Sequence, residues 1–277
     1  MRSHGVAALS IVARVFGRGF RFPSQVVGRP GRVTLDAARW SEGTVAERTL
    51  LRLAGGVLVG GFLLTLIATH EHPSGDDDNH VVIFAKYADS DSWVAVHLVQ
   101  FAGVLIALGG FLVLYRVLQL LGEVPLLAGF AVGAAIAAAA TWAVLQAIDG
   151  VALKQAVDAW SDASGPRKAI RFAHAETVRW TEWGINTFFR LLFGLTMVLF
   201  GAGIARTGIV ARWLGWVAMI GGMLYMATGI AVGYAGFESG FGDATGDAVQ
   251  VLFLVFVVGV LVAALRTKDL GGATAAR

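Results

Sequence analysis

Six stretches of this 277-residue chain, at residues 53–69, 93–115, 124–148, 183–205, 213–234 and 248–265, are long and apolar enough to cross a bilayer. Crossing the hydrocarbon takes about 20 mostly apolar residues in a helix. Lipid offers the backbone no hydrogen-bond partner, and a helix satisfies its amides within one segment. The sequence therefore predicts an all-α integral membrane bundle of six transmembrane helices. A hydrophobic share of 56% and a mean hydropathy of +0.69 exceed what the core of a soluble domain absorbs.

The basic residues orient the spans. Nine arginines precede the first span, Arg116 lies between the second and third, Arg206 and Arg212 between the fourth and fifth, and Arg266, Lys268 and Arg277 after the sixth. The opposite loops carry Asp76, Asp77, Asp78, Asp89, Asp91, Asp158, Asp162, Glu238 and Asp243. By the positive-inside rule the arginine-bearing segments are cytoplasmic, which places both termini there in a multi-pass protein of the bacterial plasma membrane. Three regions follow: a basic tail over 1–50, the six-helix domain over 51–266 and a short cytoplasmic tail over 267–277. Within the first tail, residues 7–22 carry Arg14, Arg18 and Arg21 beside apolar positions, a pattern suited to lying on anionic lipid.

The net charge of +3 does not imply nucleic acid, because the basic residues flank apolar spans and form no reader motif. Membrane lipids are the expected partners, with a small polar or amphiphilic ligand; a protein partner or homo-oligomer stays open. The absence of cysteine excludes disulfides, thiolate metal sites, iron–sulfur clusters and thiol nucleophiles.

Helices three and four are expected to extend beyond the lipid as an external helical hairpin. Lys154 and Asp158 form an i,i+4 pair, residues 161–165 read as a turn, and Pro166 suits the first turn of a new helix. Small residues recur four apart at Gly56 and Gly60, Gly129 and Gly133, and Gly229 and Gly233, a spacing that lets helix backbones approach.

Polar side chains entering the spans are the most informative feature, since each is costly unless it faces the bundle interior or water. Helix four presents Glu182, Asn186 and Arg190 on one face, with Arg190 about 12 Å along the axis from Glu182. Helix two offers His97 and Gln100, helix three Gln146 and Asp149, and helix six Asp247 and Gln250, each pair spaced by three. The expectation is a polar pocket open to the outer face and floored by Arg190, with Tyr225 on helix five closing the floor. Arg190 would be satisfied by Asp149, Asp247, an amide or water. The rival reading is that these groups lock the helices together by buried hydrogen bonds of around 0.6 kcal/mol each.

The first outer loop, with His70, His72, His80 and Asp76–Asp78, holds metal-ligating side chains in no defined ligand spacing. A solvated acidic loop without a metal is the expectation, and the three histidines are the candidates should one bind. Haem ligation lacks a second span histidine to face His97. No phosphate loop, nucleophile elbow or zincin motif is present, so no cofactor and no reaction is assigned. Two alternatives stand beside ligand binding. One is an enzyme acting on a lipid or quinone headgroup, with Asp149, Glu182 or Asp247 as acid or base and Arg190 holding an anion. The other is an assembly partner.

The acidic loop leading through Tyr87, Ala88 and Trp93 to His97, the run from Asp149 to Lys154, and the run from Trp183 to Arg190 resemble uncharacterised bacterial multi-spanning membrane proteins grouped under domains of unknown function. The resemblance covers residues 50–266 and implies the helical fold but no activity.

Overall fold

The computed structural model describes residues 45–121, 124–238 and 240–266. The expected amphipathic segment at 7–22 and the tail at 267–277 lie outside the described residues. The elements are α1 (Val45–His70), α2 (His80–Ala88), α3 (Trp93–Leu121), α4 (Pro125–Ala147), a π-helical segment (Ile148–Leu153), α5 (Lys154–Ser161), α6 (Pro166–Thr207), α7 (Arg212–Ala235) and α8 (Gly240–Arg266). No strand occurs among the described residues. Among the described residues six helices are long and apolar enough to span a membrane, with α4, the π segment and α5 forming one of them over Pro125–Ser161. The six expected spans are thus present.

Local chemistry sets the breaks. Pro125 and Pro166 occupy the first helical turn of α4 and α6, where a missing amide hydrogen costs nothing. Gly208 ends α6 in the left-handed conformation at φ 67°, and its amide donates to Ile204. The 42 residues of α6 amount to about 63 Å at 1.5 Å per residue, twice the hydrocarbon thickness.

α2 has no counterpart among the six apolar stretches. Asn79 caps it by accepting from the Val82 amide, and Ile83, Phe84 and Tyr87 form its buried face. These three join Trp93, Leu153, Val157 and Ala175 in a second core beside the main one. The acidic stretch read as a solvated loop is thus followed, from His80, by a helix docked on α5 and α6. Lys154 ties it down, donating to the Ala88 carbonyl at 2.9 Å and to Asp158 at 2.7 Å.

Close packing draws on more glycines than those spaced four apart. A Cβ on Gly194 would lie 2.6 Å from the Gly222 carbonyl oxygen, and one on Gly222 would lie 2.5 Å from that of Gly194; Gly201 and Gly215 repeat the arrangement. Seven residues separate the glycines on each helix, two turns, so α6 and α7 touch backbone to backbone twice. Gly229 and Gly233 extend this contact toward Arg190 and Thr187, whereas Gly56, Gly60, Gly129 and Gly133 face nothing within 4 Å. Of the three expected pairs, one lies at a helix contact.

Candidate functional site

One end of the bundle gathers polar side chains from α3, α4, the π segment and α6 beneath the 71–79 loop and α2. Helical spacing supplies the wall on α6: Arg179, Glu182 and Asn186, at i, i+3 and i+7, share a face. They border a cavity of about 220 Å³ lined by Thr69, His72, Asp77, Tyr87, Gln100, Trp142, Leu145, Gln146, Asp149, Arg179, Glu182, Asn186 and Phe237.

The π segment shapes one side. Widening the helix by a residue is a recurrent device at functional sites. Here the widened turn carries Asp149, whose carbonyl accepts from the Trp93 indole at 3.1 Å and whose carboxylate lies 3.1 Å from His97 Nε2. Gly150 permits the approach, because a Cβ there would lie 2.6 Å from the Cβ of His97.

Arg179 and Glu182 form a buried ion pair with Nη1 and Oε2 2.6 Å apart and both side chains under 5% exposed. Arg179 Nη2 also donates to the Asp77 carbonyl at 3.2 Å. The rings of Phe237, Tyr87 and Trp183 surround the guanidinium at 4.9, 5.6 and 6.0 Å, an arrangement that stabilises a desolvated cation.

The roof is clasped to the opposite turn. The amides of Phe237 and Glu238 donate to the Asp78 carboxylate at 2.8 and 3.1 Å, and the Asp77 amide donates to Glu238 Oε1 at 2.8 Å. Gly236 makes this turn with φ at 80°, a conformation that strains other residues.

Three carboxylates, Asp77, Asp149 and Glu182, face one guanidinium in the lining, so the chamber is acidic. In the roof, burial lifts the Asp77 carboxyl above its ordinary value, against the pull of Arg179 and with Glu238 and Asp78 adding to it. Burial also raises the Tyr87 phenol, which stays neutral. It lowers the His72 imidazole, with Asp149 opposing. Six buried lining atoms have no hydrogen-bond partner in the protein: Asp77 Oδ1, Tyr87 OH, Trp142 Nε1, Gln146 Oε1, Asp149 Oδ1 and Arg179 Nε.

Of the residues singled out in the sequence, Gln100, Gln146, Asp149, Glu182 and Asn186 line the chamber, and His97 is buried against Asp149. Arg190 is not part of the lining. Its Nε donates to Asn186 at 2.7 Å, Nη1 to Thr228 at 3.4 Å, and its guanidinium stacks over Tyr225 at 5.5 Å, so an amide satisfies it. Tyr225 itself packs against Phe193 and Phe253. Asp247 and Gln250 are exposed, because α8 buries the face carrying Val249, Phe253, Phe256, Val257 and Val260.

Among the loop histidines, His72 turns inward to the chamber. His70 is exposed at the end of α1, and His80 pairs with Glu176 at 3.0 Å. The sequence reading missed Arg179, although its i,i+3 relation to Glu182 is a usable signal. It also missed Asp77, Tyr87 and Phe237, which only the folded roof brings in.

The fold defines a multi-pass helical membrane protein with an acidic cavity near one end. Compared with known families, the chain matches "Domain of unknown function (DUF4386)" over residues 53–267, and it belongs to that family. No curated protein and no solved structure matches it.

Proposed function

We propose that this membrane protein binds a small polar ligand in the chamber, as a carrier or sensor, with the chamber opening to the outer face of the plasma membrane and both termini in the cytoplasm. The observation that carries this reading is that one cavity is lined by six residues that each keep a buried polar atom without a hydrogen-bond partner in the protein. Each costs about 1–3 kcal/mol if left unsatisfied. The set mixes donors on Tyr87, Trp142 and Arg179 with acceptors on Asp77, Gln146 and Asp149, which suits an occupant with both kinds of group. Arg206 and Arg266, in the last turns of α6 and α8, support the orientation, which also makes the α5–α6 hairpin external.

The test is unfolding of the detergent-purified protein against a panel of small amines, amino acids and sugars. A ligand at a hundred times its dissociation constant stabilises by about 2.7 kcal/mol. At least one member is expected to raise the unfolding temperature, and Gln146→Leu to abolish the shift. If none does, and native mass spectrometry shows only the bare chain, the reading is wrong. Because the chain has no cysteine, orientation is read separately: Ser74→Cys should react with an impermeant maleimide on intact cells.

A further inference from the structure

We propose that the chamber holds a divalent first-row transition-metal ion ligated by His72, His97 and Asp149, an inference that rests on the chamber being a ligand site and names what binds there. One ring nitrogen of each histidine and one carboxylate oxygen of Asp149 lie within 4.8 Å of one another. A tetrahedral ion with bonds of about 2.0–2.1 Å wants its donors about 3.3–3.5 Å apart. His97 Nε2 and Asp149 Oδ2 are already at 3.1 Å, so the adjustment that closes the triangle falls on His72.

Hydrogen bonding sets both imidazoles for ligation. His97 Nδ1 lies 2.8 Å from the Trp93 carbonyl and His72 Nδ1 lies 2.9 Å from the Pro73 carbonyl. A carbonyl only accepts, so each Nδ1 carries the proton and each Nε2 keeps its lone pair. This is the arrangement in which a backbone carbonyl fixes the tautomer of a metal-bound histidine.

The lone pair of His97 Nε2 then faces a carboxylate oxygen, which is also an acceptor. Two acceptors at this distance need something between them, either a metal ion or a proton shared by the pair. Asp149 Oδ1 is buried with no partner. The metal meets the first of these needs and also balances the acidic lining.

The ligand frame is held from outside. His97 lies against the Trp93 ring at 4.4 Å, His72 against Trp93 at 4.8 Å and against His97 at 5.1 Å. The Asp78 clasp anchors the loop that carries His72. Two imidazoles and one carboxylate suit zinc and its neighbours better than magnesium or calcium, which prefer oxygen alone. Three protein ligands leave a tetrahedral ion one position toward the cavity, where the oxygen or nitrogen of a small molecule fits.

The experiment uses the full chain, purified without a polyhistidine tag, stripped with chelator and titrated with Co²⁺ and Zn²⁺ alone. One equivalent is expected, with the visible ligand-field bands of Co²⁺ bound to nitrogen and oxygen. Loss of an outer partner of a metal ligand already costs 10–100-fold in affinity, so His97→Gln and Asp149→Asn are each expected to weaken binding by roughly a hundredfold or more. His70→Ala and His80→Ala are expected to leave it unchanged. If His97→Gln does not fold, His72→Ala on the loop must show the loss instead. Absence of Co²⁺ binding by folded wild-type protein, or binding that survives these ligand substitutions, overturns the proposal and leaves a protonated His97–Asp149 pair. If Co²⁺ fails while an organic solute still stabilises the protein, only the metal falls; if both fail, the ligand-site reading falls with it.

Discussion

Replacing Arg179 with Met tests whether the buried ion pair holds the chamber together. Arg179 and Glu182 are 3% and 2% exposed, so neither charge has water to fall back on. Breaking a buried pair by removing one partner costs about 3–5 kcal/mol, mainly because the other charge is left uncompensated. Here the stranded carboxylate would share the chamber with Asp149 and Asp77, and the bond to the Asp77 carbonyl would go as well, worth about 1 kcal/mol. The single variant is therefore expected to lose at least about 3 kcal/mol. Replacing both partners with apolar side chains is often close to neutral, so Arg179→Met with Glu182→Met should recover about 2 kcal/mol or more of that loss. The assay is equilibrium unfolding by sodium dodecyl sulfate in mixed micelles, followed by circular dichroism, with chelator present to remove any contribution from bound metal. A single variant costing under about 1 kcal/mol, or a double variant no better than the single, refutes the argument, since either result means that Glu182 is not a stranded charge.

Gly150→Ala places a Cβ 2.6 Å from the His97 Cβ, well inside the 3.5–4.0 Å of a good carbon contact. Overpacking of about 1–3 kcal/mol outweighs the gain of up to about 1 kcal/mol for Ala in a helix, and displacement of His97 is expected to weaken Co²⁺ binding. Unchanged stability and Co²⁺ affinity would contradict this account of the π segment. Gly222→Ala puts a Cβ 2.5 Å from the Gly194 carbonyl oxygen, a backbone atom that cannot swing away, whereas Gly133→Ala meets nothing within 4 Å. The first is expected to cost about 1–3 kcal/mol and the second to be neutral or slightly stabilising in the same micelle titration.

Much of the fold is legible one segment at a time. A span announces itself through its own apolar length, so six spans, the break before Pro166 and the Lys154–Asp158 pair are readable without knowing what lies beside them. α2 is not, because nine residues are too few for an apolar window and its flanks are acidic. Glycine spacing misleads for a related reason. A pattern four residues apart marks a surface where helices can meet, but the side chains on the neighbouring helix decide whether they do. Gly194 and Gly222 meet and Gly129 and Gly133 do not.

The chamber divides in the same way. Polar residues on a span are visible as exceptions to an apolar run, and Gln100, Gln146, Asp149, Glu182 and Asn186 were found so. Helical phase then removes Asp247 and Gln250, because α8 turns its apolar stripe inward. It also places Arg190 against Tyr225 of α7, which no spacing rule foretells, whereas its bond to Asn186 follows the i,i+4 spacing.

By itself the sequence determined that the chain crosses a membrane, how many times it crosses, and which polar groups the bilayer would not tolerate alone. Those are properties of hydrophobic length and of the cost of burying charge, and each is a property of a single segment. Only the tertiary structure decided that His72, His97 and Asp149 stand together. They come from a loop, a helix end and a π turn far apart in the chain. What joins them is the clasp of Asp78 on the 236–238 turn, the docking of α2 and the bare backbone of Gly150, none of which acts until the helices have packed.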